Sequence, residues 1–161
     1  MENEELNLLE ALDNRTLVTG SVKDWIEAIR LAGGLLAIDR VVEDKYIEAM
    51  VNVTRELDPY AVIAPRIAMP HARPEDSAHS VGLSTLVIKK EVNFGSPNDL
   101  VNVVIGFAAV DKPSHLKMLK ELASLLSIPS FIEELTSVRY SFEIKEIIRK
   151  YFNGVKRNIT E

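Results

Sequence analysis

Eleven consecutive residues, Leu100-Val101-Asn102-Val103-Val104-Ile105-Gly106-Phe107-Ala108-Ala109-Val110, carry a single polar side chain between them. The run is far too short to cross a membrane as a helix, which needs about 20 apolar residues. Its Val, Ile and Phe content favours extended backbone. A strand that is apolar on both faces cannot give either face to water, so it belongs in the middle of a sheet covered above and below. That predicts a layered α/β arrangement.

Helical periodicity supplies the covers. Leu6, Leu8, Leu9 and Leu12 suggest a short helix ending near Asp13-Asn14. Ser21 followed by Asp24 has the form of a capping box, and Val22, Trp25, Ile26, Ile29 and Leu36 predict a helix over about 22–37. Gly33-Gly34 marks close packing or an early end of that helix. A second helix is predicted over about 43–57, with Tyr46, Ile47, Met50, Val53 and Leu57 on one face and Asp58-Pro59 as its stop. Val62-Ile63-Ala64 and Ile67-Ala68-Met69 read as two short strands or one interrupted strand, opening after Pro70 into a loop to about Ser80. Val81 to Lys89 reads as a strand, and Val92 to Phe94 as a short one closed by the turn Gly95-Ser96-Pro97-Asn98-Asp99. After the central strand, Ser114 is the expected cap of a helix with Leu116, Leu119, Leu122, Ala123 and Leu126 on one face. A turn or two from Pro129 through Leu135 and an amphipathic helix from Phe142 to Phe152 follow. Residues 1–155 form one expected domain, with a polar tail at 156–161 and fraying from Asn153 onward.

The composition excludes several functions. With no cysteine there is no disulfide, thiolate metal site or cysteine nucleophile. A formal net charge of −5 argues against nonspecific binding to nucleic acid or anionic lipid. The acidic start Met1-Glu2-Asn3-Glu4-Glu5 is unlike a secretory signal, so the cytoplasm is the expected location.

Chemistry then falls to three histidines, His71, His79 and His115. His71 follows Pro70 at a strand end, in a loop carrying Arg73, Glu75 and Asp76. His115 lies just beyond the central strand, in the first turn of a helix whose free N–H groups favour an anion. Strand ends are where α/β sheets place functional groups, so these two can meet. A neutral imidazole is a nucleophile at neutral pH, and Arg73, His115 and backbone amides could receive phosphoryl oxygens. His79 has no helpful neighbours in sequence and reads as a solvated loop residue. A metal site of His71, His115 and Glu75 or Asp76 lacks any spacing such as H-E-x-x-H. No Gly-rich phosphate loop appears either. From the residues alone the reading is an α/β domain with a candidate His/Arg anion site.

The segment from Asp58 to Asp76, containing Ala68-Met69-Pro70-His71-Ala72-Arg73-Pro74-Glu75, closely resembles the phosphorylation-site region of mannitol/fructose-type enzyme IIA domains (EIIA type-2) of the bacterial sugar phosphotransferase system. Val92-Asn93-Phe94-Gly95, the helix with Tyr46-Ile47-Glu48-Ala49-Met50, and Ala108-Ala109-Val110-Asp111-Lys112-Pro113-Ser114-His115-Leu116 resemble further landmarks of that family, in its order. The likeness spans about residues 6–152 and is greatest to the ascorbate-specific branch. Asp58 and Arg66 depart from that branch, standing where it usually has glycine.

The resemblance implies a three-layer α/β/α fold with a mixed β-sheet and a phosphocarrier role. His71 matches the histidine that accepts a phosphoryl group on Nε2 from phospho-HPr, the carrier charged by enzyme I from phosphoenolpyruvate. His115 matches the second histidine, which hydrogen-bonds the phosphoryl group or orients the first ring. Arg55, sixteen residues before His71, resembles an active-site arginine of mannitol-type members, and Arg73 could serve the same phosphate. No cofactor or metal is implied. The acceptor would be a separate EIIB protein, phosphorylated on cysteine, which works with an EIIC permease in the uptake of L-ascorbate or a related pentitol or sugar acid. Homo-oligomerisation stays open. Two other readings stand beside this one: a nitrogen-type regulatory EIIA acting through its phosphorylation state, and a metal-dependent hydrolase using His71 and His115.

Overall fold

The computed structural model describes residues 7–57, 61–73 and 77–160, with backbone alone at Leu57 and at 157–160. Its elements in order are α1 (Leu8–Leu12), β1 (Thr16–Thr19), α2 (Trp25–Ile38), α3 (Asp44–Leu57), β2 (Val62–Ala64), β3 (Ile67–Ala68), β4 (Gly82–Val92), β5 (Val101–Ala108), α4 (Lys112–Leu126), α5 (Pro129–Thr136) and α6 (Ser141–Thr160).

The strands form one sheet in the order β1-β4-β5-β3-β2. β1 is parallel to β4 and β3 to β5, while β4 is antiparallel to β5 and β2 to β3. The sheet is mixed, and its central strand is the apolar run, buried from Val101 to Ala108. The two faces carry separate cores. Val103, Ile105 and Phe107 of β5 pack with Leu83 and Val87 of β4 against α1, α4, α5 and α6. Val104 and Ala108 pack with Leu86 and Ile88 against α2 and α3. The period-2 alternation of one strand thus divides its side chains between two helical layers, giving the expected three-layer α/β/α fold.

Where α2 crosses β5, Gly106 leaves room for the helix backbone. Ser84 Oγ donates to the Ala32 carbonyl at 2.7 Å, and a Cβ on Gly106 would collide with that hydroxyl. Gly33 does the same between helices, since a Cβ there would lie 3.1 Å from Ile47 Cγ1 of α3. The expected close packing at Gly33-Gly34 therefore belongs to Gly33. Arg66, in the turn between β2 and β3, has φ +76°, the left-handed region that favours glycine.

Several local expectations are corrected. β1 was not expected after the first helix. Asp24, not Ser21, caps α2 by accepting from Glu27 N at 2.9 Å, which moves the helix start to Trp25. The separate strand at Val92–Phe94 is absent, because β4 runs unbroken to Val92. Asp111, not Ser114, caps α4: its carboxylate accepts from Ser114 N at 2.9 Å and from Ser114 Oγ at 2.8 Å. The tail does not fray at Asn153, since α6 continues to Thr160 with Val155 packed on the core and Lys156 over the Phe152 ring. The stop at Asp58-Pro59 lies outside the described residues. Among those described, no helix is long and apolar enough to cross a membrane.

Candidate functional site

β3 and β5 run parallel toward the same end of the sheet, and their register sets the site. Ile67 lies opposite Val103 and Ala68 opposite Val104. The chain keeps that register past Pro70, so His71 bridges to Phe107. Pro70 has no N–H to extend the ladder, which lets the strand open into a loop here. The His71 ring is half-buried, with Nδ1 3.1 Å from the Met69 carbonyl oxygen. A carbonyl only accepts, so Nδ1 carries a proton, and in the neutral ring the lone pair is then on Nε2.

His115 comes from the first turn of α4, where Pro113 fits because its missing N–H would have no helical partner. Its ring centroid lies 6.1 Å from that of His71, at 64° between planes, and 5.0 Å from that of Phe107. Burial, and secondarily the charge of His71, hold the His115 imidazolium below its ordinary pKa, so the neutral ring is favoured. At the anion-receiving helix start expected from sequence, the Ser114 amide is already taken. Asp111 takes Ser114 N–H, and that bond, with the Ser114 hydroxyl, keeps the carboxyl below its usual range.

Tyr46, on α3, belongs to the predicted apolar helix face and to the family-like segment Tyr46–Met50. It is 1% exposed, and its hydroxyl donates to the Phe107 carbonyl at 2.8 Å while accepting from Ala72 N at 3.2 Å. The signal was present, because a phenol on a buried helix face needs a polar partner.

The other candidates separate. Arg73 is exposed, two residues beyond His71. Arg55 is about 13 Å along α3 from Tyr46, where its guanidinium lies over Trp25 and hydrogen-bonds Asn52. Trp25 in turn packs on Phe94, beyond the opposite end of β4 and β5 from His71. The structure brings His71 and His115 together and seats Arg55 elsewhere. His79 is not without neighbours: its Nε2 lies 3.2 Å from Glu43 Oε2. Among the described residues no group of three or more His, Cys, Asp or Glu could hold a metal ion. Glu75 and Asp76 lie outside them.

This arrangement presents one accessible imidazole of fixed tautomer beside a second, partly desolvated one. Such a pair can accept an electrophilic group on Nε2 and steady it with a neighbouring donor. Known proteins resemble the chain along most of its length. Residues 12–151 match the model of the family described as phosphoenolpyruvate-dependent sugar phosphotransferase system, EIIA 2. The mannitol-specific cryptic phosphotransferase enzyme IIA component of Escherichia coli is 32% identical over 83% of this chain and 90% of its own. The ascorbate-specific EIIA component of Salmonella choleraesuis is 31% identical over 86% and 91%. Among solved structures, that cryptic mannitol enzyme IIA superimposes with a TM-score of 0.81 at 30% identity, over 88% of this chain and 97% of that one. Enzyme IIA for mannitol of Escherichia coli, in complex with phosphorylated enzyme IIB, gives 0.74 at 28% identity over 86% and 97%.

Proposed function

Since the chain belongs to the EIIA 2 family of the phosphoenolpyruvate-dependent sugar phosphotransferase system, we propose that His71 is its phosphoryl acceptor, charged by phospho-HPr and discharged to an EIIB protein. The observation that carries this is the Nδ1 contact with the Met69 carbonyl, which leaves the Nε2 lone pair as the nucleophile. In the transfer the Nε2–P bond forms as the bond from phosphorus to the donor's leaving group breaks. Nδ1 keeps its proton on Met69 throughout. No cofactor is called for; catalysis is positioning and charge stabilisation. His115 hydrogen-bonds a phosphoryl oxygen and Arg73, two residues along the same loop, adds a cation, whereas Arg55 would have to leave Trp25. Exposed Val110 and Leu116 flank His115 and give partners an apolar contact.

The sugar passed downstream is L-ascorbate or a related pentitol or sugar acid. The mannitol and ascorbate relatives are nearly equal in identity, so this choice is supported by the likeness of the Ala68–Glu75 and Ala108–His115 stretches to the ascorbate branch. The partner class is supported by the complex formed by the mannitol relative.

The test is incubation with enzyme I, HPr and labelled phosphoenolpyruvate, beside His71→Ala. Wild type is expected to take up one label and His71→Ala none. Label retained by the variant refutes the assignment.

A further inference from the structure

We infer that Tyr46 is a positioning residue for phosphoryl transfer: its hydroxyl ties the backbone beside His71 to the strand residue that packs against His115, and so sets the spacing of the two rings. The inference rests on His71 as the acceptor and adds a residue to that site.

The geometry is specific. Ala72 directly follows His71, and its N–H donates to Tyr46 Oη at 3.2 Å. The same oxygen donates to the Phe107 carbonyl at 2.8 Å. Phe107 is both the bridge partner of His71 and the aromatic neighbour of His115. One buried hydroxyl therefore joins the acceptor loop to the strand end on which the second histidine rests. Past Ala68 the pairing of β3 with β5 narrows to the isolated bridge at His71. The phenol supplies a link there that the short strand does not. α3, which carries it, is held from behind by the close packing of Ile47 and Met50 on Gly33 of α2. Tyr46 therefore projects from a fixed support, which a positioning group needs.

Removing the hydroxyl leaves the Ala72 N–H and the Phe107 carbonyl without that partner inside the protein. The loop is then free to shift relative to β5. Displacements of about 1 Å at a reacting group cost about a hundred-fold in rate, so Tyr46→Phe is expected to lower the transfer rate constant about ten- to a hundred-fold while leaving the KM for phospho-HPr nearly unchanged.

A general loss of stability is controlled by Ser84→Ala. That substitution also removes a buried hydrogen bond, but at the crossing of α2 and β5. Circular dichroism first establishes a temperature at which both variants are folded, and transfer is measured there. Imidazole nitrogen NMR on the unphosphorylated proteins follows the His71 tautomer and the His115 titration, so the clamp is tested independently of the phosphoryl chemistry. The expected result is slowed transfer and a displaced His115 titration in Tyr46→Phe, with both unchanged in Ser84→Ala. Tyr46→Phe with wild-type His71 and His115 spectra overturns the inference, whether or not His71 proves to be the acceptor. Equal slowing in both variants also overturns it, reducing Tyr46 to a stabilising residue.

Discussion

Phosphorylation of His71 should raise the proton affinity of His115, and the structure bounds the amount. A phosphoryl group adds about two negative charges near pH 7. The phosphorylated ring that keeps Nδ1–H carries one positive charge, so the net change is about one negative charge. The ring centroids are 6.1 Å apart. At that distance one unit charge is worth about 0.7 kcal/mol in a water-like dielectric and about 2.7 kcal/mol at an effective dielectric of about 20. His115 should therefore bind its proton about three- to a hundred-fold more tightly in the phosphorylated protein. Burial above all holds its proton affinity below the ordinary value beforehand, and phosphorylation acts in the opposite direction. Charging the site near neutral pH would take up part of a proton, and discharge to the acceptor would release it. Imidazole nitrogen NMR across pH, on the resting and phosphorylated proteins, measures the effect. An unchanged or weakened His115 proton affinity on phosphorylation would refute the reasoning, because it would mean that His115 does not feel the phosphoryl charge.

Arg73→Ala should slow transfer about ten- to a hundred-fold, the value of a charge-assisted hydrogen bond, whereas Arg55→Ala should leave the rate within about two-fold; labelling kinetics showing the reverse order would move the phosphate contact to Arg55. Gly106→Ala drives a Cβ into Ser84 Oγ and to 3.2 Å from the Ala32 carbonyl. It should cost about 2–4 kcal/mol through overpacking and a strained hydrogen bond, read as a lower urea midpoint; an unchanged midpoint would show that α2 can move away freely. Acid should destabilise the protein partly through His115. Its folded proton affinity lies below the ordinary value of 6.5, so the unfolded chain is the better proton binder as pH falls through that window. His115→Gln should lose less stability between pH 7.5 and pH 5 than wild type in urea titrations, and an equal loss would remove His115 from the acid response.

What the sequence displayed depended on how many residues shared one physical demand. The central strand was legible because every position from Val101 to Ala108 had to be buried. The second helix was legible because Tyr46, Ile47, Met50 and Val53 repeat at its period, and it spans Asp44–Leu57. Features resting on one or two residues were not. β1 has four half-buried residues, Thr16 to Thr19, too few to establish alternation. Ser21 and Asp24 are both good caps, and only the bond from Glu27 N distinguishes them. The polar tail from Asn153 onward reads as frayed in sequence, while Val155 holds the helix by reaching the core. At the site His71 was visible as a histidine at a strand end. Its own partners are Met69 and Phe107, and Tyr46 bonds the next residue, Ala72; Phe107 and Tyr46 are distant in sequence.

The cap of α4 alters where a phosphoryl group must find its support. A helix start offers backbone N–H groups and a partial positive charge to an anion, and the second histidine sits on such a start. Here part of that capacity goes to the Asp111 carboxylate, bound to the Ser114 amide and hydroxyl. Pro113 contributes no N–H, and His115 N bonds to the Asp111 carbonyl. An incoming dianion would meet a carboxylate at the cap where an open helix end would offer amides. Stabilisation then falls to side chains that can supply a proton or a cation, His115 and Arg73. A group held mainly by a titrating imidazole is held less tightly when that imidazole loses its charge, since the neutral ring keeps a single N–H donor. A carrier has to give its phosphoryl group away as readily as it takes it, and support of this kind weakens on deprotonation in a way that fixed backbone amides cannot.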